Sequence, residues 1–390
     1  MSIESTNSPS NQSIAVFGST GSIGVSTLQV ARSLPSQLKV VGLSAHRNLD
    51  LLVEQTQEFR PSWIVATDSQ FAEQYNWPAM PGTELLIGPQ HLDRRAAEQS
   101  CDMVVAAIVG IAGLSSTLAA IRSGKKIALA NKETLVAGGP LVMDLAAESG
   151  STILPVDSEH NAIFQCLQGG KRDELVKICL TASGGPFRQF SRQEMENATP
   201  QQALAHPTWN MGQKISIDSA TMMNKALEII EAKWLFDLSA DQIEVVVHPQ
   251  SIVHSLVEFA DGSVIAQLSP PDMKLPIQHA LTWPHRVAGP ARRLKFHEAM
   301  SLDFQPPDIS RFPALSLGLQ VARLGGTSGA VLNAANEAAV EAFLQKRIGF
   351  CDIARICQNV LQDHQLESQP TIEKIYEVDR WAREEINKWI

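Results

Sequence analysis

The chain has 390 residues, 44% of them hydrophobic and 19% charged, which excludes a fibrous or disordered polymer and calls for two or three globular domains. Its formal net charge of −9 repels a phosphate backbone, so general nucleic-acid binding is excluded and phosphate recognition must come from a focused local site. The five scattered cysteines contain no C-x-x-C pair, which argues against a disulfide framework or zinc site and for a reducing compartment.

The opening stretch MSIESTNSPSNQ is polar and has no secretory n- or h-region, so residues 1–12 are expected to be disordered. No apolar run reaches the roughly 18 residues needed to cross a bilayer. A soluble, cytoplasmic protein with neither membrane nor nucleic acid as partner is expected. Residues 13–17 then read as a strand, 18–24 as a glycine-rich turn, and 25–34 as a helix stopped by Pro35. Strands at 39–43 and 63–66 flank a helix at 49–59, and a helix at 93–99 precedes a strand at 103–108. A helix at 114–123, ended by Gly124, leads to a strand at 126–130. This alternation predicts an α/β fold: a Rossmann-like, doubly wound parallel sheet over residues 13–156.

The pattern then changes. A strand at 152–156 runs into the helical DSEHNAIFQCL, and a strand at 175–181 runs into Ser183-Gly184-Gly185-Pro186. Residues 188–214 read as a long loop with little regular structure, a length common in lids; the lid as a whole is placed at about 183–213. A helix is expected over 219–236, followed by strands at 244–247, 251–259 and 263–268 around an Asp261-Gly262 turn. Residues 157–282 therefore form a central α+β domain, 283–312 a linker, and 313–390 a C-terminal helical bundle.

The turn Gly18-Ser19-Thr20-Gly21-Ser22-Ile23-Gly24 has the spacing G-x-x-G-x-x-G between a strand and a helix. Glycines permit close approach to a pyrophosphate, and the helix N-terminus offers free N–H groups. The second strand ends in Ser44-Ala45-His46-Arg47-Asn48. There is no acid there to hold a ribose 2′-hydroxyl, and Arg47 is suited to a 2′-phosphate, which favours NADP(H) over NAD. Asn131-Lys132-Glu133 lies at a carboxyl edge of the sheet, where α/β folds place ligands, although the same residues suit a capped helix start.

Asp157 and Glu159 are two residues apart, so in extended backbone they point the same way. They suit Mg²⁺ or Mn²⁺, or equally a helix N-terminus whose acids favour the macrodipole. On the helix from Ser219, Asn224 and Glu228 share a face, with Lys225 one turn before Glu228. A hydroxyl, an amide and an ammonium there make a phosphate clamp and Glu228 a further metal ligand; surface charge pairing is the other reading. His206, Trp209 and Met211 on the long loop are placed to close over a substrate. His248, His254, His279 and His285 show no ligand spacing and read as structural or surface residues.

Several segments together resemble one family. GSTGSIG at 18–24, ANKE at 130–133, PVDSEHNA at 155–162, TASGGPF at 181–187, HPTWNMGQKISIDSATMMNKALE at 206–228 and HPQSIVHS at 248–255 are similar to the 1-deoxy-D-xylulose 5-phosphate reductoisomerases, in the same order and over nearly the whole chain. The resemblance implies a homodimer of three-domain subunits. It implies NADPH with Mg²⁺, Mn²⁺ or Co²⁺, a sugar-phosphate substrate, and inhibition by fosmidomycin-like hydroxamate phosphonates. The implied reaction is conversion of 1-deoxy-D-xylulose 5-phosphate to 2-C-methyl-D-erythritol 4-phosphate in the non-mevalonate isoprenoid route.

By resemblance, Asp157, Glu159 and Glu228 bind the metal. Ser183, Ser219, Asn224 and Lys225 hold the substrate phosphate, with His206 closing from the loop. Lys132 and Ser158 contact the substrate near the metal, beside Glu159 and Glu228, and Lys132 joins the three carboxylates as a catalytic group. Thr20, Gly21, Ser22, Ile23, Arg47, Asn48, Asn131, Glu133 and Gly212 contact NADPH. Family members often carry Gly-Lys-Asn where this chain has His46-Arg47-Asn48; Arg47 keeps the charge and His46 adds bulk. The competing readings are a plain NADP-dependent dehydrogenase of a phosphorylated substrate, without rearrangement, and a non-catalytic NADP-binding sensor. The dehydrogenase reading leaves the three carboxylates and Lys225 without a joint purpose.

Overall fold

The computed structural model describes residues 11–209 and 211–390. The expected disordered segment 1–12 lies outside the described residues except at its end, where Gln12 already belongs to the first strand. In chain order come β1 (Gln12–Phe17), α1 (Ser22–Ser33), β2 (Leu38–Ala45), α2 (Leu49–Phe59), β3 (Trp63–Ala66), α3 (Ser69–Gln74), β4 (Glu84–Ile87), α4 (Gln90–Ala97), β5 (Met103–Ala106), α5 (Leu114–Arg122), β6 (Lys126–Leu129), α6 (Glu133–Ser149) and β7 (Thr152–Pro155). There follow α7 (Ser158–Cys166), β8 (Leu175–Ala182), α8 (Arg192–Glu196), α9 (Pro200–Leu204), α10 (Gln213–Thr221), α11 (Met223–Leu235), β9 (Ile243–Val247), β10 (Val253–Phe259), β11 (Val264–Leu268), α12 (Lys274–Thr282), α13 (Ala314–Leu324), α14 (Ser328–Leu344), α15 (Asp352–Asp363) and α16 (Ile372–Glu385).

Two compact units are formed. One takes the described residues up to Asn131, together with Leu145–Asp157 and Asp272–Arg292; the other takes Lys132–Asp144, Ser158–Pro271 and Arg293–Ile390. The first unit is a seven-stranded sheet in the order β4-β3-β2-β1-β5-β6-β7, with every pairing parallel. The expected Rossmann-like winding is present. Strand order reverses at β1, which puts the switch point at the β1 carboxyl end, directly before the glycine turn. The inner strands are buried on both faces, as parallel sheets require: Ile14, Val16, Leu43, Ile64, Val104 and Ile127 are all fully buried.

Three elements of this unit, α3, β4 and α12, are absent from the sequence reading. The last of these packs against α1, β6 and β7, with Ile277, Ala280 and Leu281 in its buried face. His279 is buried beside them and meets Trp283 edge-on at 5.6 Å. Burial, aided by Arg286, pulls its imidazole from 6.5 down to about 4. The folded protein therefore keeps His279 neutral where the unfolded chain takes up a proton. Its stability contribution is complete above pH 6.5 and is lost as pH falls toward 4. Urea midpoints measured from pH 7 to 4.5 should decline, with a shallower slope in His279→Gln.

The second unit is built on a four-stranded sheet ordered β11-β10-β8-β9, antiparallel except for the β8–β9 pair. Helix α7 packs on β10 and β11, and α11 packs on α13. The C-terminal residues form the expected helices, with α14 against α15 and α16. A polar tie joins them to α10: Asn336 of α14 donates to Asp218 at 2.8 Å, and within α10 the same carboxylate pairs with Lys214 at 2.8 Å.

Two expectations need correction here. The single helix over 219–236 is instead two helices, because α10 starts earlier, at Gln213, and stops at Met222, which is left-handed with φ of 62°. Thr221 makes the break tolerable: its hydroxyl accepts the Met223 N–H at 3.2 Å, which is the kind of side-chain capping that ends one helix and begins another. The loop at 188–214 is more ordered than expected. It contains α8 and α9, each opened by a capping box, Ser191 with Glu194 and Thr199 with Gln202. Helix α6 was also missed; Gly138-Gly139-Pro140 breaks it locally, with Gly138 non-helical, without ending it.

Candidate active site

In the first unit, Gly18 has φ of +83° and ends β1 against β5. A Cβ there would stand 2.7 Å from the Ala107 carbonyl oxygen, so only glycine fits. A Cβ on Gly24 would drive into the Gly18 carbonyl, so the first turn of α1 lies directly on the loop. No side chain caps α1 at Gly21, whereas Asn48 caps α2 and Asp68 caps α3. The N-terminus of α1, with Thr20, Gly21, Ser22 and Ile23 around it, thus has no side-chain cap, and uncapped helix starts of this kind suit anionic oxygens. Asn131 ties down the loop after β5 by donating to the carbonyls of Ile108 and Gly110, the latter at 2.9 Å. Arg47 is exposed and donates through Nε to Asp68 Oδ2 at 2.7 Å.

The acidic cluster forms where β7 passes into α7. Extended backbone would point Asp157 and Glu159 the same way; instead Ser158 opens α7 and Glu159 sits in its first turn. The two acids flank a strand–helix junction, and their ligand atoms and one from Glu228 lie within 4.8 Å of one another. Glu228 comes from α11 and is fully buried. It accepts from Lys225 Nζ one turn before it, from Asn224 Nδ2 four residues before it, and from Lys132 Nζ at 3.4 Å. Lys132 also donates to Asn224 Oδ1 at 3.0 Å. Lys225 Nζ bridges to Glu159 Oε1 at 2.7 Å, and the Ser158 hydroxyl donates to Glu159. Burial alone would lower the Lys225 ammonium, but the carboxylates of Glu159 and Glu228 outweigh it and hold the group charged.

Asp157 also lies near the side chains of His160 and Glu231. Those two are essentially sealed, at 0% and 1% exposure, whereas the Glu159 side chain retains 18%. Of these two groups among the described residues, the three-carboxylate set is the more exposed, with two part-exposed members, Asp157 and Glu159, against one. Its donors are all hard oxygens, which fit Mg²⁺ or Mn²⁺.

Ser183, His206 and Ser219 form a second group in the same unit. The backbone turns sharply at Gly184 and Gly185, with φ of +83° and +66°, and a Cβ on Gly185 would meet the Ser219 carbonyl oxygen at 2.6 Å. His206 Nδ1 accepts the backbone N–H groups of Thr208 and Trp209 at 3.1 and 2.9 Å. The ring proton is therefore on Nε2, which donates to Ser183 Oγ at 2.9 Å. Burial lowers the His206 pKa, in keeping with this neutral form. Glu133 opens α6 and accepts from Lys214 at 3.3 Å, and Gly212 caps α10.

Family models match three stretches: one described as 1-deoxy-D-xylulose 5-phosphate reductoisomerase over residues 14–139, one as its C-terminal domain over 153–236, and one as a DXP reductoisomerase C-terminal domain over 268–385. A relative from Desulforamulus reducens bearing that enzyme name is 51% identical over 380 residues, covering 97% of this chain and 98% of its own. The chain belongs to the 1-deoxy-D-xylulose 5-phosphate reductoisomerase family. Another reductoisomerase, from Pelotomaculum thermopropionicum, is 52% identical over 375 residues, covering 95% and 97%. Among solved structures, the Zymomonas mobilis reductoisomerase in complex with NADPH superposes with a TM-score of 0.89 at 45% identity, covering 97% of this chain and 99% of that one. A reductoisomerase bound to NADPH, fosmidomycin and magnesium gives 0.91 at 45% identity, covering 97% and 98%.

Within this reductoisomerase fold, the site also depends on residues that carry no motif signal of their own. His160 holds the Glu228 segment through Nε2 and the Glu228 carbonyl, 3.0 Å apart, and stacks on Phe236. His248 accepts the N–H groups of Ile252 and Val253, both at 3.1 Å, and donates to the Asp303 carbonyl, pinning the turn before β10. His254 is buried and meets Trp209 edge-on at 6.3 Å. Their only trace in the sequence is membership of the long segments around 155–162 and 248–255.

Proposed function

We propose that this chain converts 1-deoxy-D-xylulose 5-phosphate to 2-C-methyl-D-erythritol 4-phosphate, with NADPH as reductant and a divalent metal, in the non-mevalonate isoprenoid route. The observation that carries this reading is the convergence of Asp157, Glu159 and Glu228 beside Lys132, Asn224 and Lys225. A dehydrogenase without rearrangement has no use for that set, and a sensor has none for a reacting centre.

Asp157, Glu159 and Glu228 are the metal ligands in this assignment, and a divalent ion there supplies Lewis acidity to the substrate's ketone and hydroxyl oxygens. NADPH supplies the hydride that reduces the rearranged aldehyde. Thr20, Gly21, Ser22 and Ile23 receive its pyrophosphate, Arg47 and Asn48 its 2′-phosphate end, and Asn131, Glu133 and Gly212 complete the contact. Lys132 and Lys225 offset the three carboxylates and fix them for the substrate, which Ser158 also touches. Because His206 donates to the Ser183 oxygen, the Ser183 O–H is left to donate to a phosphate, with Ser219, Asn224 and Lys225 as its companions. Trp209 and Met211 close over the substrate and exclude water, and phosphate binding supplies remote energy for orientation.

With substrate and Mg²⁺, NADPH oxidation should stop in excess EDTA and resume when Mg²⁺ is restored. The ¹³C NMR spectrum of the product should show a branched skeleton. Full turnover in EDTA, or an unbranched alcohol as sole product, would refute the assignment.

A homodimer is part of the same reading. One face of the β11-β10-β8-β9 sheet is covered by α7 and α11. The other carries Leu256, Val246 and the Lys177 bridges to Glu244 and Glu258, with Phe304 exposed alongside. A half-apolar sheet face of this kind suits a second copy. Light scattering should give a dimer, and Leu256→Asp should shift it toward monomer. No helix of the described residues is long and apolar enough to cross a membrane. The free cysteines suit a reducing compartment, and the cytoplasm is the location we assign.

A further inference from the structure

The parallel pairing of β2 with β3 ends at Ala45 opposite Ala66. Beyond that point the two chains stay in step through their side chains. One residue on, His46 Nδ1 lies 3.1 Å from Thr67 Oγ1, and two residues on, Arg47 Nε donates to Asp68 Oδ2 at 2.7 Å. The register of the sheet thus aligns an arginine on one strand end with an aspartate on the next.

Asp68 is well suited to be the fixed member of that pair. Its other oxygen accepts the Phe71 N–H at 3.1 Å and caps α3, and only 13% of its side chain is exposed, against 71% for Arg47. One carboxylate oxygen is therefore tied to a helix start and the other to the guanidinium. Arg47 is held by Nε alone, and among the described residues its two terminal nitrogens donate to no acceptor. Those two nitrogens are the edge of a guanidinium that binds a phosphate in bidentate fashion. His46 Nε2 stands 3.8 Å from the same Asp68 oxygen.

We propose that Asp68 is a specificity-positioning residue: by tethering Arg47 through Nε it presents the terminal guanidinium edge to a nucleotide 2′-phosphate, and so sets the preference for NADPH over NADH. This rests on the assignment of Arg47 to the 2′-phosphate made above. Two effects of Asp68 oppose each other. Its negative charge repels a 2′-phosphate, but the tether removes the freedom that a long exposed arginine must otherwise lose on binding. The pair is exposed on the arginine side, so water screens the repulsion, and the ordering effect dominates.

The test is direct titration of NADPH and NADH by calorimetry, without turnover. Asp68→Ala should weaken NADPH binding about tenfold, equivalent to 1.4 kcal/mol, and leave NADH within twofold. Asp68→Asn, which keeps an acceptor for Nε and a cap for α3, should bind NADPH within about threefold of the parent. A purely structural role for Asp68 predicts equal losses for both cofactors, and a purely repulsive one predicts tighter NADPH binding in Asp68→Ala; either result overturns the proposal. Arg47→Ala separates the two levels. If it leaves NADPH selectivity intact, the 2′-phosphate assignment itself fails. If it abolishes selectivity while Asp68→Ala does not, only the tether fails.

Discussion

Replacing Glu228 by glutamine should lower kcat by roughly 10²–10³-fold while NADPH affinity stays within about twofold. Glu228 is fully buried and receives hydrogen bonds from Asn224, Lys225 and Lys132. An amide keeps the shape but removes the charge, and it can turn a second donor toward two ammonium groups that need acceptors. A cation held by Asp157 and Glu159 alone loses one of three carboxylates, and the lysines lose the group that orients them. The glycine turn that would hold NADPH lies on β1 and α1, elements with no part in this cluster. Steady-state kinetics across a Mg²⁺ series, with NADPH titrated separately, checks both halves. Turnover within tenfold of the parent would take Glu228 out of the ligand set.

Lys225→Met should have the largest effect on stability. Lys225 Nζ lies between Glu159 and Glu228 with 4% of its side chain exposed, and the two carboxylates hold it charged despite burial. Removing one partner from a buried ionic group typically costs about 3–5 kcal/mol, because it leaves the remaining charge without compensation. Methionine fills the space but leaves two carboxylates facing each other. Denaturant unfolding should show the loss. Added Mg²⁺ should raise the midpoint of the variant more than that of the parent, since an ion now replaces the missing positive charge. Equal Mg²⁺ shifts in both proteins would mean that the ion binds elsewhere.

Much of the first unit was legible because its signals are local. Periodicity and flanking breakers gave Leu49–Phe59 and Trp63–Ala66 to the residue, and the glycine turn announced the switch point. The losses have physical causes. In α12, Pro276 near the start and the long loops around it hide a helix whose burial is set by α1. The strand β4 is only four residues at a sheet edge, half-exposed and preceded by prolines. The break at Met222 was unreadable because a left-handed residue other than glycine is stabilised by its surroundings, here the Thr221 hydroxyl.

The site divides in the same way. The i,i+3 and i,i+4 spacings of Lys225 and Asn224 to Glu228 could be read directly and appear as hydrogen bonds. Lys132, more than 90 residues away in the chain, reaches the same carboxylate, and only tertiary packing decides that. The supporting histidines escape for a similar reason: His248 acts on backbone groups four and five residues away and on Asp303, 55 residues away.

The discontinuity of the two units has a consequence for synthesis on the ribosome. The nucleotide-binding unit is not complete when its seventh strand has emerged, because it also takes Asp272–Arg292, whose helix α12 lies against α1, β6 and β7. About three quarters of the chain must be translated before that face is covered. Until then an apolar patch on the oldest part of the nascent protein stays exposed, so slow translation before residue 292 lengthens the interval in which chaperones must guard it. A truncation at the end of β7 would leave the same patch bare permanently.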